Sequence, residues 1–236
     1  MSFADRARSY VEERLPQVEP HSAEEMFLRL LEHGAEARAA GNYGIAAAYV
    51  VRAHGTELVC FGENSVFSEC DPAGHAEMNS LRLARRLATA DDGDRERLLD
   101  DPRCTLVRAA PHDGFETLLY STLEPCPMCT VGIINAGVER VFVAQADPPA
   151  GALMHLDALP PIWSDFARLR GLRVTAVSED PNGPARVPKK LVDLLNRLFL
   201  DGKDVLDRRL NAEPALPVDR LGSVAHAWRR AHRPLH

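Results

Sequence analysis

The chain has 236 residues, 45% of them hydrophobic and 26% charged, with a formal net charge of -6. That length suits one generous catalytic domain with terminal additions, and that composition can bury a sizeable core, which excludes a wholly disordered chain. The acidic balance disfavours a surface built to lie along a phosphate backbone, and an odd count of five cysteines argues against a disulfide framework and for a reducing, cytoplasmic setting.

In chain order, residues 1–21 read as a polar N-terminal arm; MSFADRARSY has charges but no apolar run behind it, so no secretory signal is expected. Ser22 to Ala40 predicts a helix, capped by Ser22 with Glu25 closing a capping box and Gly41 stopping it. Gly44–Arg52 and Glu57–Phe61 read as two strands of a hairpin turning at His54-Gly55, and the apolar stretch Gly44–Val51 is far too short to cross a bilayer. After Asp71, Pro72 and Gly74 a helix is expected over His75–Leu87. Residues 90–103 are dense in charge and read as part of a solvent-exposed insertion, about 89–114, with a short helix of its own. Phe115–Thr122 and Val138–Ala146 predict strands around a helix at Cys126–Ala136. A loop over 147–161, a helix over 162–170, a strand over 172–177 and a helix over 187–200, with Leu191, Leu194, Leu195 and Leu198 on one face, complete the pattern. The alternation implies an α/β fold of three layers. It divides into a catalytic domain over 22–180 and a C-terminal helical extension and tail over 181–236, the tail carrying Arg229, Arg230 and Arg233.

Two short segments carry chemistry, His75-Ala76-Glu77 and Pro125-Cys126-Pro127-Met128-Cys129. Cys126 and Cys129 are three apart, so a helix puts both on one face within reach of one ion, and a helix start favours the thiolate form that a metal requires. His75 adds a neutral nitrogen ligand, and three protein ligands leave a fourth tetrahedral position open, which marks a catalytic zinc site with one Zn2+ per chain. Glu77 is not needed as a ligand and is placed to move the proton of a water activated there. Cys70, near His75, reads as a free thiol, Cys60 and Cys104 as packing residues, and His33, His54, His112 and His155 as surface or local hydrogen-bonding residues. His155 and Trp163 have a possible pocket role.

The runs Ser121-Thr122-Leu123-Glu124-Pro125-Cys126-Pro127-Met128-Cys129 and Asp71-Pro72-Ala73-Gly74-His75-Ala76-Glu77-Met78 resemble the cytidine and deoxycytidylate deaminase superfamily. Within it they look closest to the branch holding guanine deaminases and tRNA adenosine deaminases. The resemblance covers roughly residues 22–150, with weaker likeness to about 200, and implies a three-layer α/β/α sandwich with a central mixed five-stranded sheet, zinc between two helix N-termini, and a homodimer or larger oligomer. It also implies that Asn64 hydrogen-bonds the substrate ring and that the backbone N–H of Ala76 contacts it. The chain departs from the pattern in carrying Tyr43-Gly44-Ile45-Ala46 where related sequences have Pro-Phe-Gly-Ala or Pro-Val-Gly-Ala, and in a longer gap between His75 and Cys126.

These readings converge on a zinc-dependent hydrolytic deaminase of an aminated nucleobase or nucleoside, a purine-like ring being preferred. Its partner is then a small molecule; nucleic acid is disfavoured by net charge, and no membrane is implied. Adenosine in tRNA is the alternative substrate, and deoxycytidylate or cytosine-type and s-triazine or antibiotic-like rings stay open. The competing class is a non-catalytic zinc-stabilised binding module, against which Glu77 argues, because a structural site has no use for a proton shuttle.

Overall fold

The computed structural model describes residues 3–108, 114–177, 183 and 185–212. The end of the insertion, with His112, and the arginine-bearing tail from Pro214 lie outside the described residues. The first helix, α1 (Phe3–Arg14), falls where the sequence suggests only a polar arm. Ala7 and Val11, one turn apart, are buried against α2 (Ala23–Ala39), and that apolar pair is too short a stripe to stand out among the charges around it. Ser22 caps α2 as expected, accepting from Glu25 N at 3.1 Å, but the Glu25 carboxylate reaches back to His21 N at 2.6 Å rather than to the cap residue itself.

The hairpin β1 (Ala46–Ala53) and β2 (Thr56–Glu63) turns through His54 and Gly55 at φ 50° and 72°, two left-handed residues whose twist matches the strands they join. Then follow α3 (Ala76–Thr89), α4 (Asp92–Leu99), β3 (Cys104–Arg108), β4 (Phe115–Ser121), α5 (Pro127–Ala136) and β5 (Arg140–Val143). The chain continues through α6 (Pro161–Leu169), β6 (Arg173–Ala176), α7 (Lys189–Leu200) and α8 (Lys203–Ala212). The sheet order is β3-β2-β1-β4-β5-β6; pairings are antiparallel from β3 to β4 and parallel from β4 to β6.

Among the described residues the mixed sheet therefore has six strands, one more than the five expected. The extra strand, β3, comes from the insertion, whose charge-dense first half obscures the alternating Cys104-Thr105-Leu106-Val107-Arg108 behind it. It pairs with the edge of β2 that would otherwise be left bare, and α4 packs Leu98 and Leu99 beneath it, against Leu83, Leu87 and Cys104. Cys60 and Cys104 are both buried free thiols and face each other across this pairing, with Sγ atoms 3.9 Å apart.

Helices cover both faces. On one, Phe27, Leu30 and Leu31 of α2 and Leu191, Leu195 and Leu198 of α7 pack with Ala48, Val50 and Phe61 in the main core. Helix α7, from the segment expected as a C-terminal extension, thus shares the main core. On the other, Ile133 of α5 packs with Leu119, Val141 and Val143. No described helix is long and apolar enough to cross a membrane.

Candidate metal centre and active site

The site is built where two helices begin side by side. His75 is the N-cap of α3 and Cys126 the N-cap of α5, with Pro127 in the first turn, where its missing N–H costs nothing. The His75 side chain does not bond its own helix, and the two cap side chains turn toward each other. Gly62 sets the depth of α3 on the sheet: a Cβ there would overlap the Ala76 carbonyl and the Ser80 amide. Gly132 sets the spacing of α5 from α3, since a Cβ there would sit 2.7 Å from Met78 Sδ.

The sequence motif is thereby folded into one cluster. His75, Cys126 and Cys129 have donor atoms all within 4.8 Å of one another, and Cys126 Sγ lies 3.6 Å from His75 Nδ1. A tetrahedral zinc with a bond of about 2.3 Å to sulfur and about 2.05 Å to nitrogen separates those two donors by about 3.6 Å. The three residues fit that ion.

The three groups also set one another's proton affinities. Hydrogen bonds from Cys129 and His75 hold the Cys126 thiol down at about 4, against the opposing effect of burial. The hydrogen bond to Cys126, with burial behind it, pushes Cys129 up, and the bond to Cys126 raises His75. The cluster is a thiolate sharing the protons of its neighbours, the arrangement that a dication replaces. His33, Glu36 and Glu63 form a second group of close donors, with no sulfur and with His33 Nδ1 already bonded to Glu63 at 2.8 Å. The softer sulfur-bearing set suits zinc better.

Glu77 lies in the first turn of α3, 4% exposed. Its Oε2 is 3.5 Å from Cys129 Sγ and its Oε1 is 3.4 Å from Ser121 Oγ. The Ser121 hydroxyl is within donating distance of both Glu77 Oε1 and the Leu123 carbonyl, the latter at 2.7 Å. Burial raises the Glu77 carboxyl, favouring the form that carries a proton. A carboxyl of this kind, beside a metal site and in a cavity, is a candidate for moving protons.

The cavity in front of the cluster has a volume of about 250 Å³ and is lined by His75, Glu77, Cys126 and Asn64, among others. Of the residues expected to touch substrate, Asn64 is on that wall. Ala76 is the first residue of α3, its N–H one of those a helix start leaves without an internal acceptor, but its side chain is buried and lines nothing. His155 is exposed and Trp163 packs beside α5, and neither lines the cavity, so the pocket role considered for them is not seen. A further part of the wall comes from Phe199 of α7 and from Lys203, Asp207 and Leu210 of α8, a helix not picked out in the sequence. Its one local signal is the Lys203–Asp207 pair at helical i,i+4 spacing, too common to single out a site.

Glu124 was also unread, although it stands beside the cysteine motif. It is 3% exposed, and its two oxygens accept from Asp147 N at 3.0 Å and Met154 N at 2.9 Å, so it anchors both ends of the loop after β5. Asp147 and Ala150 of that loop line the cavity.

Residues 20–145 match the family described as the cytidine and deoxycytidylate deaminase zinc-binding region. A tRNA(Ile)-lysidine synthase from Deinococcus deserti is 32% identical over 123 residues, 52% of this chain and 19% of that protein. A tRNA-specific adenosine deaminase from Aquifex aeolicus is 28% identical over 98 residues, 42% of this chain and 51% of the relative. The chain thus spans a fifth to a half of the length of these curated relatives. Among solved structures, a guanine deaminase from Nitrosomonas europaea aligns with a TM-score of 0.45 at 23% identity, over 77% of this chain and 88% of that one.

Proposed function

The chain belongs to the cytidine and deoxycytidylate deaminase zinc-binding family, and from that premise we propose that it is a hydrolytic deaminase of an uncharged aminated base or nucleoside, with a purine-like ring preferred. The reaction exchanges a ring amine for a carbonyl: water adds its oxygen at the amine-bearing carbon, and ammonia leaves with the protons. The observation that carries the reading is Glu77, a buried carboxyl adjoining the Cys126–Cys129–His75 cluster and open to the cavity.

In this reading His75, Cys126 and Cys129 hold zinc, which supplies a Lewis acid that makes water nucleophilic near neutral pH. Glu77 takes one proton of the attacking water to the ring nitrogen, and then carries the second, from the hydroxyl so formed, to the departing amine. Asn64 orients the ring from the cavity wall, and the free N–H at Ala76 offers a donor to a ring acceptor. The fully buried Ser121 holds Glu77 in place from behind. A homodimer is the assembly the family suggests, and light scattering of the purified chain tests it.

The test is ammonia release by the zinc-loaded protein across bases, nucleosides, nucleotides and tRNA, with Glu77→Gln as control and zinc content measured in both. Release from a base or nucleoside, lost by 10²-fold or more in the control while zinc remains at one per chain, is the expected result. Turnover that survives Glu77→Gln with zinc bound removes the proton-shuttle role. Adenosine in tRNA is the second reading, favoured by the tRNA-specific adenosine deaminase relative; deamination of tRNA alone, with salt-sensitive binding, would establish it in place of the first.

A further inference from the structure

Three side chains that the metal centre does not use meet on the cavity wall contributed by α8. Tyr43 precedes β1, Lys203 and Asp207 lie one turn apart on α8, and all three line the same cavity as His75, Glu77 and Asn64. Tyr43 Oη donates to Asp207 Oδ1 at 2.7 Å, and Lys203 Nζ pairs with Asp207 Oδ2. Lys203 also acts electrostatically on Asp147, which lines the cavity from the loop after β5. Tyr43 stands in the four-residue stretch where the sequence departs from related ones, so this contact belongs to the part of the chain that its motifs leave unexplained.

The charges decide what such a wall can receive. Among the described residues that line it, Lys203 is the one ammonium and faces the carboxylates of Asp147 and Asp207, with Glu77 and Glu124 also on the wall, so Lys203 is matched before any ligand arrives. A phosphate entering there meets a net negative wall. Each Asp207 oxygen takes one hydrogen bond and retains a second lone pair, which can accept from a hydroxyl or a ring N–H. Phe199 and Leu210 supply apolar surface on the same wall. A cavity of about 250 Å³ is also at the small end for a ligand site.

Resting on the deaminase reading above, we infer that Asp207 is the specificity-determining residue of the pocket. Fixed by Tyr43 and Lys203, it accepts a hydrogen bond from an uncharged base or nucleoside and turns away 5′-phosphorylated substrates.

The test is calorimetric binding to the zinc-loaded full chain, using ligands that cannot turn over: xanthosine, inosine and uridine, each against its 5′-monophosphate. The wild type is expected to bind its preferred nucleoside at least tenfold more tightly than the monophosphate, about 1.4 kcal/mol. Asp207→Asn keeps an acceptor for Tyr43 while removing the charge, and is expected to shrink that ratio about tenfold. Tyr43→Phe, a second variant should the first not fold, frees Asp207 and is expected to weaken the nucleoside several-fold and the monophosphate less. A wild type that binds the monophosphate as well or better, a ratio unmoved by the variant, or no nucleoside binding at all overturns the inference. Ammonia release is scored separately. The expected binding pattern without release from any substrate removes the deaminase reading alone, and release without the binding pattern removes the specificity role alone.

Discussion

Replacing Glu124 by alanine isolates a part of the candidate site other than its metal cluster and Glu77. Its carboxylate binds the backbone amides of Asp147 and Met154, and the carbonyl of Gln145 accepts from its own N–H at 2.8 Å, a backbone bond that the substitution leaves in place. A hydrogen bond to a charged group contributes about 1.5–3 kcal/mol, and a buried amide left without its acceptor loses that much. Met154 is partly exposed, so water recovers some of the loss there, and the low end of the range applies to both bonds. The expected cost of Glu124→Ala is therefore about 3 kcal/mol, or about 6–12 °C in melting temperature for a chain of this size. Glu124→Gln keeps the volume but points an amine at one of the two amides, for about 2 kcal/mol. Urea unfolding followed by tryptophan fluorescence measures both, and hydrogen exchange locates the loss: amides over residues 147–154 should exchange faster while those of β4 and β5 do not. Because Asp147 and Ala150 line the cavity, substrate affinity should fall along with loop protection. A loss below about 1 kcal/mol with unchanged exchange over 147–154 would refute the reasoning, since the loop would then be held by something other than this carboxylate.

Three further outcomes are expected. Cys129→Ser should bring zinc, measured by plasma mass spectrometry, well below one per chain and lower the melting temperature, because an alcohol is not deprotonated where a thiol is; full zinc occupancy in the variant would show that Cys129 is not a ligand. Gly62→Ala should destabilise the chain by more than about 3 kcal/mol, because the added methyl overlaps two backbone groups of α3 that no side-chain rotation can move aside; a denaturation midpoint equal to wild type would show that α3 has room to shift. Asp101, whose carboxyl is held low first by its hydrogen bond to Arg103, should contribute stability that is present above the ordinary carboxylate range and lost as pH falls through its depressed value. Asp101→Asn should accordingly cost about 1 kcal/mol at pH 7 and progressively less as pH falls below the ordinary carboxylate range, so a wild-type-to-variant gap that stayed constant over that fall would contradict the assignment.

The elements that the sequence made legible share a physical reason: their information is local. Ser22 announces α2 because a cap acts on amides within one turn, and His54-Gly55 announces the hairpin because left-handed backbone favours such residues. His75, Glu77, Cys126 and Cys129 were readable as a site because zinc chemistry demands particular donor types at particular spacings, whatever surrounds them. Helix α1 and strand β3 were not, because each is held by a few apolar contacts inside a charged stretch: Ala7 and Val11 for the one, the open edge of β2 for the other.

The sequence by itself thus determined the candidate site: the three possible metal ligands, the carboxyl beside them, and the two helix starts that present them. Only the tertiary structure decided which walls close around that chemistry. The buried Glu124, the tight approach at Gly62, and the meeting of Tyr43 with Asp207 across 164 positions all depend on groups brought together by packing of distant segments. No local propensity encodes such a meeting, because its energy exists only once the sheet and its two helical layers have formed.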